Sequence, residues 1–187
     1  MNVYDFDKTI FYPDSSYQFF FFCLKKHPAS VLPVLPKSLH LAIRYRRGEI
    51  DAKPLKQQLF SFLRRLDDVE QVVNEFWRSK RHKLLKWYLS QKKSDDLIIS
   101  ASPEFLLAPI AQELGVRLIA TKMDRRIGMI EGANCHDHEK VNRLRAEYPD
   151  EKIEAFYSDS LSDTPLAALA EKAYLVKKSK MIPWPSK

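Results

Sequence analysis

Glycine is scarce in this 187-residue chain, with only 4 copies, and that removes collagen-like and other fibrous architectures. Cysteine is scarcer still. Cys23 and Cys135 stand far apart and form neither a spaced metal-ligand set nor a redox pair, so the simplest expectation is a protein kept reduced in the cytoplasm. Long apolar runs are missing too: the longest, Phe19 to Leu24, is 6 residues, where a membrane-crossing helix needs roughly 20. The N-terminus carries an acid-bearing, strand-like run instead of a positive region followed by an apolar one, so an export signal is not expected. No internal repeat and no low-complexity segment interrupts the chain.

What remains is ample for one core. Hydrophobic residues make up 45% of the chain and aromatics 12%, against 29% charged, which excludes wholesale disorder. The length suits one catalytic core with an inserted module. Acids are outnumbered, 24 against 31 Lys and Arg, leaving +7. Lys25 to Lys93 holds 17 Lys and Arg against 6 acids, a net +11, and the remainder 14 against 18, a net −4. A basic segment set within an acidic host implies two parts with different tasks and an anionic partner. No nucleic-acid-binding motif accompanies the charge, so nucleic acid is not the expected partner.

Periodicity divides the chain the same way. Val3 to Phe6 reads as a short strand. From Tyr17 to about Lys93 the pattern is helical, broken early by Pro28, Pro33 and Pro36. One helix is expected behind Asp51 and Pro54, with Leu55, Leu59, Phe62, Leu63 and Leu66 on its apolar face. Another starts at Asp67 or Asp68 and runs through Val72, Val73, Phe76 and Trp77. Beyond Lys93, strands at Leu97–Ile99, Val116–Ala120 and Ile153–Tyr157 alternate with helices at Pro103–Leu114 and Lys140–Tyr148, and Met123 to Ile130 reads as a hairpin appended to one edge. This alternation predicts an α/β fold with a parallel sheet flanked by helices. The helical segment becomes a cap inserted after the first strand, giving a core of residues 1–13 and 84–187 and a cap of residues 14–83. Open sheets of this kind bind ligands at the carboxyl ends of their strands.

The chemistry-bearing residues collect at those ends. Asp5 and Asp7 lie two apart and project to one side of an extended chain; two such carboxylates suit either a Mg²⁺ site or an acid/base pair. Ser158 to Pro165 places Asp159 and Asp163 after another strand. Ile98 to Ser102 runs from a strand into a hydroxyl and a helix start, where free N–H groups favour phosphate, and Lys140 opens a later helix. In isolation Ser100 reads as a helix cap and Lys140 as a surface lysine; together they belong to one sheet edge. Cys135-His136-Asp137-His138 is too tightly spaced for a zinc site and reads as a loop.

The ordered motifs D-F-D-K-T at Asp5 to Thr9, Ser100, Lys140 and S-D-S-L-S-D at Ser158 to Asp163 resemble the haloacid dehalogenase superfamily, in its phosphoserine-phosphatase-like branch with a helical C1-type cap. The resemblance implies a Rossmann-like core and a Mg²⁺-dependent phosphomonoesterase. Asp5 would be the nucleophile that becomes an aspartyl phosphate, and Asp7 the acid and base. Mg²⁺ would be held by the Asp5 carboxylate, the Asp7 carbonyl and Asp159. Ser100, Ala101, Lys140 and Thr9 would serve the phosphate, with Thr9 also steadying Asp7, and Asp163 would orient Lys140 or a metal-bound water from behind. An acid at Asp7 favours a phosphohydrolase over the superfamily's dehalogenases and mutases. Lys8 departs from the Gly or small residue of many relatives.

For the substrate, Asp14 and Arg44, Arg46 or Arg47 are the cap residues on offer. His138 to Val141, Tyr157 to Ser160, Asp163 to Pro165 and the aromatic, Pro-broken entry to the cap are similar to bacterial phosphatidylglycerophosphatase C, which implies a lipid phosphate as an alternative to a small phosphorylated metabolite. Contact of Phe19–Phe22 and the basic cap with an anionic membrane would follow, at the inner face of the cytoplasmic membrane; the competing expectation buries these aromatics in the cap's own core. A catalytically idle member that only binds is the remaining alternative, though it would have no need of Asp5, Asp7, Lys140 and Asp159 together.

Overall fold

The structure, a computed structural model, describes residues 1–185. The chain opens with β1 (Asn2–Tyr4) and then runs through α1 (Ser15–Lys26), α2 (Pro28–Val31), α3 (Leu35–Arg46), α4 (Ala52–Phe60), α5 (Val69–Lys80) and α6 (Lys86–Gln91). Alternation follows: β2 (Leu97–Pro103), α7 (Glu104–Leu114), β3 (Arg117–Thr121), the short β4 (Met123–Asp124) and β5 (Met129–Ile130), α8 (His138–Glu147), β6 (Ile153–Ser158), α9 (Thr164–Ala167), β7 (Ala170–Lys177) and β8 (Lys180–Pro183). The sheet order is β3-β2-β1-β6-β7-β8. Every neighbouring pair is parallel except β7 with β8. This is the flanked, mostly parallel sheet expected from the alternation.

Period-two alternation sends side chains to two cores. Val3, Leu97, Ile99, Ile119 and Phe156 face Leu144 of α8 and Leu166 of α9. Tyr4, Ile98, Ala120 and Tyr157 belong to the other cluster, which runs on without a break into the helices between β1 and β2. There Phe19, Phe60, Phe62 and Phe76 pack ring against ring, Phe19 meeting Phe76 edge-on at 5.4 Å. Trp77 lies edge-on to Phe11 at 5.3 Å and donates from Nε1 to the Leu106 carbonyl at 2.6 Å, which ties α5 to α7. Phe19 and Phe20 are buried, Phe22 partly so, and Phe21 alone of this run is exposed. The segments into and out of the helical insert run side by side, with Leu85 donating to the Ile10 carbonyl and Tyr12 to that of Lys83.

Local details differ from the expectations. β1 ends at Tyr4, two residues early, because Ile10 and Phe11 both donate to the Phe6 carbonyl and fold the chain back. The helix behind Asp51 stops at Phe60 and tightens into a 3₁₀ turn over Ser61–Arg65; this turns Phe62 and Leu63 into the aromatic core while Leu66 is left partly buried. Asp68, not Asp67, caps α5, accepting from the Gln71 N–H at 2.9 Å. The hairpin pairs only with itself and leans on α4: Ile130 donates to Gln57 Oε1 at 3.0 Å. At its tip Gly128 has φ +74°, and a Cβ there would lie 2.3 Å from the Phe60 carbonyl oxygen, so glycine is required twice over. β7 and β8 are additions to the expected strands, and Trp184 just beyond them packs on Phe156 at 5.8 Å.

Candidate active site

The D-F-D order builds the floor of the site. Phe6 is fully buried and stacks on Phe11 at 5.6 Å, so the acids on either side of it turn to the opposite face, at the carboxyl end of the central strand. Asp5 continues the sheet by donating to the Tyr157 carbonyl at 2.8 Å, and Lys8 turns the chain with φ 58°. Both carboxylates line a cavity of about 360 Å³ shared with Ser100, Ala101, Ser102, Lys140, Asp159 and Asp163 from the core and with Asp14, Tyr17, Tyr45 and Lys56 from the helical segment.

Beneath the cavity lies a buried charge cluster. Lys140 Nζ donates to Asp5 Oδ1 and to Asp163 Oδ2, both at 2.7 Å, and Ser158 Oγ donates to the same Asp163 oxygen at 2.7 Å. Burial works against the Lys140 charge, yet the two carboxylates outweigh it and hold the ammonium protonated above the usual range. Burial pushes Asp5 up, Lys140 pulls it back, and Asp163 and Asp7 push it up again. Burial raises Asp7 to about 6, with Asp14 adding to the rise and hydrogen bonds from Ser102 and Ser15 opposing it. Asp159 is raised by burial as well. The cluster therefore holds more negative charge than its lysine balances.

The arrangement matches a known family pattern. The sequence pattern of the haloacid dehalogenase-like hydrolases fits residues 3–168. The chain belongs to the haloacid dehalogenase-like hydrolase family. Among individual relatives, Protein CicA of Caulobacter vibrioides is 34% identical over 140 residues, a stretch spanning 71% of this chain and 57% of that protein. A protein of unknown function from Bordetella pertussis Tohama I shares the fold with a TM-score of 0.78 at 27% identity, covering 94% of this chain and 89% of the other. A phosphoserine phosphohydrolase-like protein from Francisella tularensis superposes with a TM-score of 0.61 at 17% identity, over 96% and 88%. The fold is thus that of the phosphoserine-phosphatase-like hydrolases of the family, with a helical insert after the first strand.

Within this haloacid dehalogenase-like site most of the expected residues converge. Ser100 is not a helix cap, because Pro103 precedes α7 and Ser100 lies inside β2, accepting from the Ser102 N–H at 3.1 Å. Thr9 is fully buried and serves neither Asp7 nor the cavity; its hydroxyl donates to Asp5 Oδ2 at 3.4 Å and accepts from the Asp159 N–H at 3.0 Å. Asp14 lines the cavity while capping α1 through the Tyr17 N–H at 3.0 Å. Arg44, Arg46 and Arg47 do not line it: Arg44 and Arg47 pair with Glu49 at 3.1 and 3.8 Å. Helical spacing aims Tyr45 inward and its arginine neighbours away.

Three groups escaped sequence reasoning. Ser15 and Ser102 hold Asp7, and Lys56 on α4 reaches the cavity wall, donating to the Ala101 carbonyl at 2.8 Å and to Asn134 Oδ1 at 2.7 Å. A lone lysine in a basic helix carries no distinguishing signal. Burial lowers Lys56 to about 8, with Asp7 and Asp14 pulling the other way. Between pH 8 and 10.5 the unfolded chain then binds more protons at this residue than the folded one, so folded stability rises with pH across that window. Lys56→Met removes the buried charge and is expected to stabilise the fold at pH 7 on the order of 1 kcal/mol, an advantage that shrinks between pH 8 and 10. Urea unfolding across that range checks it; an advantage that grows with pH would refute it.

Oxygen donors are present for a divalent cation. Asp163 Oδ1 is buried without a partner among the described residues, and Asp5 Oδ2 has only the long Thr9 contact. Asp5 and Asp159, which line the same cavity, are the carboxylates that would hold such an ion together with the Asp7 carbonyl. Such hard oxygens under uncompensated negative charge suit Mg²⁺.

Proposed function

We propose that this hydrolase releases inorganic phosphate from a phosphomonoester in two steps. Asp5 attacks phosphorus, forming an O–P bond while the ester O–P bond breaks; Asp7 gives its proton to the departing alkoxide. Asp7, now ionised, takes a proton from a water that attacks the aspartyl phosphate and frees Asp5 and phosphate. Lys140 orients Asp5 and, with Ser100 and the Ala101 N–H, faces the phosphoryl oxygens. Mg²⁺ held by Asp5, Asp159 and the Asp7 carbonyl would screen repulsion between nucleophile and phosphate. The observation that carries the reading is the pairing of Asp5 with buried Lys140 at 2.7 Å beside Asp7 in one cavity. Phosphate release from p-nitrophenyl phosphate with Mg²⁺, lost on adding EDTA and regained with excess Mg²⁺, is the expected result. Turnover indifferent to EDTA would remove the metal, and no turnover with any phosphomonoester would remove the reading.

A lipid-borne phosphate is favoured over a free metabolite by one feature. Leu39 and Ile43 project from α3 into solvent, 66% and 45% exposed, with His40 and Arg46 on that helix and Arg47 just beyond it also exposed, a pattern that suits an anionic bilayer surface. Tyr17 and Tyr45, about half exposed, stand at the cavity. No helix among the described residues is long and apolar enough to cross a membrane. A panel of phosphatidylglycerophosphate in vesicles, phosphoserine and sugar phosphates decides between the substrates; absence of vesicle binding and of lipid turnover would remove the lipid.

A further inference from the structure

Asp7 is held by two parts of the chain that are distant in sequence. Its Oδ1 accepts from the Ser15 backbone N–H at 2.5 Å, at the first turn of α1, where the helical insert begins. Its Oδ2 accepts from the Ser102 hydroxyl at 2.5 Å, at the end of β2. Ser102 is buried, 4% exposed, and its Oγ in turn meets Ser15 Oγ at 3.2 Å and Ser16 Oγ at 2.8 Å. A serine hydroxyl has one proton to give and two lone pairs. With that proton committed to Asp7, Ser15 and Ser16 act as the donors, and all four groups are satisfied. Buried polar groups tied this fully hold one geometry.

We propose that Ser102 is a positioning residue for Asp7, aiming its carboxylate at the leaving oxygen by joining it to the start of the helical insert. The proposal rests on Asp7 acting as the acid of the reaction. A hydroxyl suits the place: it donates to Oδ2 and fixes the plane of the carboxylate, while the remaining lone pairs of the carboxylate stay free to face the leaving oxygen. Alanine at position 102 would leave Oδ2 with no partner from β2 and free the carboxylate to rotate.

The test exploits what an acid is needed for. An aryl oxide departs as an anion without a proton, whereas an alkoxide does not. With Ser102→Ala, kcat/KM, which covers only the steps through departure of the alcohol and omits the later water step, is expected to fall about 100-fold for glycerol 1-phosphate, the scale of a lost general acid, with less than about 3-fold loss for p-nitrophenyl phosphate. Equal losses of kcat/KM on the two substrates would overturn the proposal. Asp7→Asn is measured beside it, again by kcat/KM. If Asp7→Asn loses both substrates equally, the acid role of Asp7 itself falls; if it discriminates and Ser102→Ala does not, only the Ser102 assignment falls. Should Ser102→Ala not fold, Ser16→Ala, at a half-buried site, decides: a few-fold loss of kcat/KM confined to the alkyl phosphate supports the positioning role, and no discrimination overturns it.

Discussion

Asp5→Asn is expected to lower phosphate release by about four orders of magnitude or more, the scale seen when a covalent nucleophile is removed, while leaving the fold in place. The amide is isosteric and its oxygen can still accept from Lys140, which stays paired with Asp163 at 2.7 Å. What disappears is the lone-pair charge that attacks phosphorus. Burial already resists that charge and Lys140 restores it, so the substitution removes a desolvated carboxylate and carries little penalty in folding. Initial rates on p-nitrophenyl phosphate with Mg²⁺, alongside urea unfolding of both chains, separate the two effects. Equal rates would sink the role of Asp5; a variant that fails to fold would mean that the carboxylate is structural.

Lys140→Met acts in the opposite way, on stability as well as on activity. The ammonium is 2% exposed and is the cation joining two carboxylates that are 11% and 3% exposed. Removing one partner of a buried pair leaves charge without compensation, which costs about 3–5 kcal/mol. Without Lys140, burial and the repulsion of the neighbouring acids raise the Asp5 carboxyl in the folded chain further above its unfolded value. The folded variant then takes up protons before the unfolded chain does as pH falls, so the deficit at pH 7 should narrow toward pH 5. Urea unfolding at both pH values, with EDTA present, measures it. A deficit below about 1 kcal/mol, or one that widens on acidification, would show that the cluster is not held together by this charge. Phosphate release should be lost at either pH.

Much of this site can be traced to short stretches of sequence, for reasons that are local. Alternation around Phe6 sends Asp5 and Asp7 to one side, because one buried aromatic between two acids fixes the faces of an extended chain. Val3, Leu97 to Ile99 and Ile153 to Tyr157 announce a buried parallel sheet through their apolar runs, and a parallel sheet brings strand ends to one edge. The same logic explains the strands that went unseen. β7 carries Glu171 and Lys172 on its exposed half and β8 is exposed along its length, so neither shows the apolar signal that marks inner strands.

The sequence by itself determined the inner strands and the helices that alternate with them, the family and the acids at the strand ends, since these follow from periodicities of two and 3.6 residues and from motifs a few residues long. Only the tertiary structure decided who meets whom. It set Lys140 against Asp5 across 135 positions and Ser102 against Asp7 across 95, moved Thr9 beneath Asp5, turned Tyr45 to the cavity in place of three arginines, and brought Lys56 to its wall. Local spacing fixes the face on which a side chain stands. The neighbour it finds there depends on how the elements pack, and that is settled by the joint burial of two cores built from the whole chain.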